Sequence, residues 1–310
     1  MRIPEYLSPT SISLWQKDEE LFYQRYLSDN RLPREPQTKP MSIGSAFDAF
    51  CKSYLHENLF GKGADVRFSK EAIFEEQVQE HNRDWAWENG EYVFNAYKNS
   101  GCLADLMLEL RTSVNDPRFE FTIKDTITTQ IGEIPLLGKP DIFFINDQGA
   151  RVILDWKVNG YCAESLKSPM EGYVKLREHG KDVKIHRDCC LIKVHGMFIN
   201  VAMNLEDGDK SWADQLAIYS WLLGEPFGSL NMITGIDQIC GPKYRLRFAN
   251  HRLRIGADYQ FELLALIEQL WETIQSGHIF RDMLEDESRA RCQLLDKVNY
   301  SNSAFQDVCR

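Results

Sequence analysis

Residues Leu137–Gly160, LGKPDIFFINDQGARVILDWKVNG, read as two strands joined by a turn. The first carries Asp141 directly after Pro140. The turn is Asn146-Asp147-Gln148-Gly149, a run of turn-forming residues. The second is built on Val152-Ile153-Leu154, an apolar run that delivers Asp155, Trp156 and Lys157 at its end. Side chains alternate along a strand, so Asp155 and Lys157 share one face. Two carboxylates and a lysine therefore converge at one place on a sheet.

Phosphodiester hydrolysis calls for such a set. A hard cation takes oxygen ligands, lowers the pKa of bound water and neutralises charge on the phosphate. Acids on adjacent strands can hold the ion with positions left open. A lysine on the same face can orient the attacking water or stabilise the developing charge. As a bare pattern, D-x-K occurs often by chance. The apolar strand paired to a second acid-bearing strand is what gives it content.

Upstream of this hairpin, Phe119–Ile131 (FEFTIKDTITTQI) alternates and is rich in Thr and Ile, which predicts a strand. With 134–145 and 151–157 it makes a meander of three strands. Further upstream, Leu7-Ser8-Pro9-Thr10-Ser11 is an extended lead-in and a helix start, Ser or Thr supplying an N-cap. Ile12, Trp15, Leu21, Phe22, Tyr26 and Leu27 would form the apolar face of that helix. Pro33, Pro36 and Pro40 make 28–40 a loop. A second helix starts near Ser42, with Ile43, Ala46, Phe47, Phe50 and Leu55 inward. Asp48 interrupts this face, and composition alone favours an exposed helix carboxylate there. Gly44 lies one turn earlier on the same side, where a small residue would let a strand or a phosphate backbone approach. Residues 68–112 read as packing helices.

Downstream, Glu171–Glu178 suggests a short helix, and Cys190–Val201 holds an apolar run of unsettled type. Lys210–Leu223 is a clear helix ended by Gly224-Glu225-Pro226, with Gln215 and Tyr219 on one face. Met232–Ile239 and Tyr244–Phe248 read as strands. Asp258–Gln275 is a long amphipathic helix, and the tail from about 281 looks helical. Helices, then strands, then helix and strands imply an α/β fold with a mixed sheet flanked by helices.

Composition narrows the class. Of 310 residues, 43% are hydrophobic and 26% charged, enough apolar material for a core. Without a linker or low-complexity tract between halves, one elaborated domain, 1–310, is expected. No apolar run approaches a membrane span, and MRIPEYLSPTSISLW lacks the basic-then-apolar order of a secretory signal. A cytoplasmic protein with no membrane partner is expected. A net charge of −10 argues against a broad basic coat for nucleic acid but not against a local basic groove. Lys167, Lys175, Arg177, Lys181, Lys184, Arg187 and Lys193 form one basic cluster, and Lys243, Arg245, Arg247, Arg252 and Arg254 another. Solvated surface charge explains either equally well. The eight cysteines show no C-x-x-C spacing, so a zinc ribbon is not indicated. His186, Cys189, Cys190 and His195 are close in sequence, but reduced thiols are the simpler reading.

Pro140-Asp141 and Asp155-Trp156-Lys157 resemble the motif of the PD-(D/E)XK nuclease superfamily. Gln215-Leu216-Ala217-Ile218-Tyr219 resembles the Q-x-x-x-Y helix of its RecB-like, Cas4-type exonuclease branch. Leu7–Ser11 with Phe22 and Tyr26-Leu27 is similar to that branch's opening, and Gly44 through Asp48 to its G-x-x-x-H motif. The likeness covers roughly 7–55 and 118–224, in order. It implies a restriction-endonuclease-like core with a helical elaboration at about 56–115 and a C-terminal helical tail at about 281–310. It implies that Asp141 and Asp155 bind Mg²⁺ or Mn²⁺ with the Trp156 carbonyl, and that Lys157 positions the nucleophilic water. Gln215 and Tyr219 would buttress the site and touch the DNA strand. Asp48 stands where the branch often has a metal-binding histidine, and its oxygen suits a hard ion better than imidazole does. Some members carry an iron–sulfur cluster. Here Asp18 occupies the N-terminal cysteine's place, and Cys292 and Cys309 are too sparse for the rest, so no iron–sulfur cluster is expected.

The implied function is a Mg²⁺-dependent deoxyribonuclease, an exonuclease in DNA recombination, repair or phage replication. It would be a stand-alone, phage-type enzyme. Family analogy extends to a recombinase or single-strand annealing protein as partner. Two alternatives use the same fold: a structure-specific endonuclease and a non-catalytic DNA-end-binding module. A metabolic α/β enzyme lacks support, with no GxGxxG, Walker A or G-x-S-x-G present.

Overall fold

The computed structural model describes residues 1–162, 175–178, 181–184, 191–194, 197–200 and 204–277. In chain order the helices are α1 (Pro9–Lys17), α2 (Glu19–Phe22), α3 (Lys39–Phe60), α4 (Lys70–Gln77), α5 (Arg83–Ser100), α6 (Cys102–Arg111), α7 (Lys210–Leu222) and α8 (Ala257–Ser276). The strands are β1 (Arg118–Phe119), β2 (Ile123–Thr129), β3 (Gly132–Gly138), β4 (Ile142–Ile145), β5 (Arg151–Asn159), β6 (Lys175–Glu178), β7 (Lys181–Lys184), β8 (Leu191–Val194), β9 (Met197–Asn200), β10 (Met232–Cys240) and β11 (Arg247–Leu253).

The chain divides into two compact units. One comprises the described residues of Met1–Pro36, Ile123–Gly138 and Phe261–Arg310; the other comprises the described residues of Gln37–Thr122 and Lys139–Gln260. In the first, Ser8 caps α1 through a reciprocal pair. Its hydroxyl accepts from the Ser11 N–H, and the Ser11 hydroxyl accepts from the Ser8 N–H. The helix expected to run on to Leu27 instead breaks at Asp18, which caps α2, and passes into a π-helical turn over Tyr23–Leu27. In the same unit, β2 and β3 pair as an antiparallel ribbon, and Leu7 bridges to Leu136.

The second unit is built on a mixed sheet of order β1-β4-β5-β10-β11-β9-β8. β5 runs parallel to β10 and antiparallel to β4. Residues of alternate parity face opposite sides. On one face Ile142, Phe144, Val152, Leu154 and Trp156 pack with Phe47 and Leu55 of α3, Val93 and Tyr97 of α5, and Leu103 and Leu106 of α6. Gly90 sets the approach of α5 to α3: a Cβ there would lie 2.6 Å from the Ala46 Cβ. On the other face lies α7, capped by the Asp209 carboxylate and buried along Trp212, Ala213, Leu216, Ala217 and Ile218. This is the expected α/β architecture, a mixed sheet between helices. The helical stretch anticipated between 56 and 115 is present as the end of α3 followed by α4–α6.

The three-strand meander is corrected. The segment expected as one strand over 119–131 is interrupted after Phe119, because Glu120 takes φ +43° and reverses the backbone. The strand expected over 134–145 is interrupted by Lys139-Pro140-Asp141, where proline has no N–H for a ladder. Of the strands from these segments, β1, β4 and β5 join the main sheet, whereas β2 and β3 form a separate two-stranded ribbon. Lys175–Glu178, expected within a short helix, is a strand paired with β7, and its charged residues sit in a two-stranded ribbon. The unsettled 190–201 run contributes β8 and β9. The second late strand starts at Arg247 rather than Tyr244, because Lys243–Arg245 forms a 3-10 turn. The proposed tail from 281, and His186, Cys189, Cys190 and His195, lie outside the described residues. Among the described residues, no helix is long and apolar enough to cross a membrane.

Candidate active site and metal centre

The hairpin turn forms as its composition suggests. The Asn146 side-chain oxygen accepts from the N–H groups of Gln148 and Ala150, and Gly149 takes φ +80°. That turn fixes the register of β4 on β5, with Ile142 opposite Leu154. Asp141, one residue before Ile142, therefore arrives beside Asp155. The Trp156 N–H donates to Asp141 Oδ2 at 3.1 Å and locks the carboxylate against the strand.

Asp155 and Lys157 point to the α7 face, as strand alternation requires. Lys157 Nζ lies 2.5 Å from Asp155 Oδ2. Gln215 of α7 closes this pair from the other side: it accepts from Lys157 Nζ at 2.9 Å and donates to Asp155 Oδ1 at 2.9 Å. Its amide also donates to the Tyr219 hydroxyl, one helical turn on, at 3.0 Å. Tyr219 is buried. Trp156 points to the opposite face, its ring edge-on to Phe47 with centroids 6.2 Å apart.

Asp48 enters from α3. Its Oδ2 accepts from Lys52 Nζ at 2.6 Å and from the Gln77 amide at 2.9 Å. The same ammonium bonds Glu120 Oε2 at 3.1 Å and Asp141 Oδ1 at 3.2 Å. Gln77 also donates to Glu120 Oε2 at 2.9 Å, and Lys139 pairs with Glu120 Oε1. An open cleft of about 230 Å³ is lined by Gly44, Asp48, Gln77, Asp141, Asp155 and Lys157 among others. A Cβ added at Gly44 would meet nothing within 4 Å, so that side of the cleft has room.

Burial raises the Asp155 carboxyl to about 6 against the pull of Lys157. Burial likewise raises Asp48, to about 7, with Lys52 opposing and Asp141 adding to the rise. Burial would discharge Lys52, but Asp141, Asp48 and Glu120 outweigh it and hold the ammonium firmly charged. For Glu120, Lys52 and Lys139 outweigh burial and keep the carboxyl below its ordinary value.

The donor set suits a hard cation: the cleft is lined by the carboxylates of Asp48, Asp141 and Asp155, and among the described residues no thiol or imidazole lies on its wall. Among the described residues, buried Asp48 Oδ1 has no hydrogen-bond partner. Against this, among the described residues no three His, Cys, Asp or Glu side chains are grouped closely enough to hold a metal. Lys52 and Lys157 currently neutralise the acids that would be ligands.

The structure thus brings together every expected site residue: Gly44, Asp48, Asp141, Asp155, Trp156, Lys157, Gln215 and Tyr219. Three partners were not anticipated. Lys52 was legible in principle, since it follows Asp48 by four residues on a helix and must share its face. Glu120 and Gln77 carry no local signal; tertiary packing alone delivers them.

No family model matches the chain, and no curated protein matches it. Among solved structures, that described as "Crystal structure of SSO0001" aligns with 83% of this chain and 86% of that one, at 10% identity and a TM-score of 0.28.

Proposed function

We propose that this protein is a metal-dependent deoxyribonuclease of the PD-(D/E)XK kind, with a restriction-endonuclease-like core, acting as an exonuclease in DNA recombination, repair or phage replication. The observation that carries the reading is the union at one strand end of Asp141, Asp155 and Lys157 with Asp48 from α3 and Gln215 from α7, around an open cleft. Asp48, Asp141, Asp155 and the Trp156 carbonyl would hold Mg²⁺ or Mn²⁺, which supplies Lewis acidity toward the phosphate when bound. Lys157, fixed between Asp155 and Gln215, holds the attacking water and faces the phosphate oxygens as their charge grows. A P–O bond would form to that water, which gives up a proton to solvent, as the ester P–O bond breaks and the departing oxygen takes a proton from solvent. Gln215 and Tyr219 keep the lysine in place. A recombinase or single-strand annealing protein would be the natural partner of such an enzyme.

The test is digestion of end-labelled linear and circular DNA, single- and double-stranded, with Mg²⁺ or EDTA. Metal-dependent loss of linear DNA only supports the exonuclease; cleavage of circles points to a structure-specific endonuclease. A non-catalytic DNA-end-binding module draws support from one specific observation: both Asp141 oxygens are engaged, by Lys52 and by the Trp156 N–H. Gel-shift binding to ends without cleavage in any metal would favour it.

A further inference from the structure

We propose that DNA reaches this cleft as a single strand, its bases laid against a cation–aromatic track of Lys39, Trp85, Tyr92 and Lys243. This names the substrate class for the nuclease reading above and rests on it.

The whole track lies in the second unit, and both walls of the cleft run on into it. On one wall, Lys39 opens α3, the helix that carries the cleft residue Gly44 about 7.5 Å further along its axis. On the other, Tyr161 follows the cleft residue Val158 by three positions at the end of β5. Between them α5 presents Trp85, Asn89 and Tyr92, whose spacing of four and three puts them on one helix face. Lys39 Nζ stands 5.4 Å over the Trp85 ring, and Lys243 Nζ 5.4 Å over the Tyr92 ring, both within cation–π reach. The buried Tyr161 ring lies 6.4 Å from each of these two rings and forms the floor between them. The surface is braced. Asn89 Oδ1 accepts from the Tyr161 hydroxyl at 2.8 Å and from Lys243 Nζ at 3.1 Å, and the Tyr92 hydroxyl donates to the Lys243 carbonyl at 2.7 Å. Tyr92 nevertheless stays 41% exposed. The two cations are not held by close acids. Among the described residues Lys39 has no ion pair, and Lys243 has a long one, 3.8 Å from exposed Glu88. A chain of net charge −10 repels a polyanion over most of its surface, so exposed cations beside an acidic cleft mark where one can enter. Ammonium groups draw phosphates, and aromatic faces take unstacked bases; together they bind single strands whatever the sequence. In a duplex the base faces are covered by neighbouring pairs, and the aromatic half of the track has nothing to meet.

The experiment is fluorescence anisotropy of the full chain in EDTA, with an end-labelled oligothymidylate and a blunt duplex of equal length, and circular dichroism as a check of fold. Wild type is expected to bind the single strand at least about tenfold more tightly than the duplex. Tyr92→Ala should weaken single-strand binding by about tenfold, the scale of one lost base–aromatic stack, and leave duplex binding unchanged. Tyr92→Phe, which keeps the ring and loses only the bond to the Lys243 carbonyl, should bind as wild type does. Replacing both cations, in Lys39→Gln/Lys243→Gln, should make the slope of log affinity against log salt shallower by about 1.4, for two lost phosphate contacts. Equal wild-type affinity for strand and duplex, no binding of the strand, wild-type affinity in Tyr92→Ala, equal weakening in Tyr92→Phe, or an unchanged salt slope would overturn the proposal. The salt slope and Tyr92→Phe decide the matter if Tyr92→Ala does not fold. Metal-dependent digestion is read separately: its presence keeps the nuclease reading when the track fails, and its absence sinks that reading whatever the strand binds.

Discussion

Gln215 grips both ends of the Asp155–Lys157 pair. It donates to the carboxylate and accepts from the ammonium, each at 2.9 Å, from a helix on the opposite side of the cleft from α3. The lysine is thereby held in one orientation, and the carboxylate keeps its Oδ2 edge toward the lysine. On the proposed reading, Asp155→Ala abolishes cleavage, and Lys157→Ala lowers it by about 10²–10³, the loss typical of one charge-stabilising group. Gln215→Ala lowers it by roughly 10–100-fold, as outer-shell partners do. Single-turnover rates with Mg²⁺, alongside melting temperatures, check this. Retained metal-dependent digestion by folded Asp155→Ala would sink the mechanism.

Asp48 offers a different readout. Among the described residues its Oδ1 has no partner, while its Oδ2 already has two. If Oδ1 serves a metal, Asp48→Ala binds Ca²⁺ or Mn²⁺ at least about tenfold more weakly in calorimetry, the scale on which single ligand-shell changes act. Asp48→Asn keeps an oxygen and falls between the two. Unchanged metal affinity in Asp48→Ala would show that the carboxylate serves only Lys52 and Gln77.

How far the sequence reaches is visible in the same residues. The β4–β5 hairpin was legible because an apolar run, an Asn-Gly-bounded turn and strand alternation all agree on one register. Gln215 and Tyr219 were legible because helical period places them together. The neighbouring strands were misread because a composition of Thr and Ile says nothing of Glu120 adopting φ +43°. That choice is imposed by its bonds to Lys52, Gln77 and Lys139, which link segments far apart in sequence. Pro140 announced a break but not that β3 would leave the sheet. Pattern thus found the residues whose roles follow from local period, and missed those whose conformation is set by long-range charge.

His251 makes stability depend on pH. It is fully buried on β11, against the Trp212 ring. Because Gln238 Oε1 can only accept, His251 Nε2 is the donor across their 3.2 Å contact, and among the described residues Nδ1 has no partner. Protonating Nδ1 would bury an unpaired charge near Arg252, so burial first and Arg252 second lower this group to about 3. The unfolded chain takes up the proton below its ordinary value near 6.5, and the folded chain does not. The contribution is therefore intact above about 6.5 and is lost as pH falls from there toward 3, at about 1.4 kcal/mol per pH unit. From pH 7 to pH 5 the stability of wild type relative to His251→Gln should drop by roughly 2 kcal/mol in urea unfolding, because the raised Asp48 and Asp155 carboxyls act alike in both proteins. An unchanged difference between the two proteins would remove His251 from the account.

Asp237 anchors the layer behind the site. It is 2% exposed on β10, beside Trp156 in register. Its Oδ1 accepts from Arg252 Nη1 at 2.7 Å and its Oδ2 from the Tyr97 hydroxyl at 2.5 Å. The Trp156 indole N–H reaches the same hydroxyl at 3.4 Å. Among the described residues the remaining guanidinium nitrogens have no hydrogen-bond partner, and Nε forms a long ion pair with Glu109 at 3.8 Å. Asp237→Ala would leave the buried guanidinium with the looser 3.8 Å contact to Glu109 in place of its 2.7 Å bond, and breaking a buried pair costs about 3–5 kcal/mol. A domain typically has only about 5–15 kcal/mol in hand, so the variant should melt far below wild type and accumulate poorly. Asp237→Asn keeps the shape and one acceptor and should cost less. Removing both partners, in Asp237→Leu/Arg252→Met, should recover much of the loss, because replacing a buried ion pair by apolar groups is often near neutral. Urea unfolding of wild type, Asp237→Leu, Arg252→Met and the double variant gives the coupling directly. A double variant no more stable than Asp237→Ala would mean that Tyr97, and not the ion pair, is what Asp237 supports.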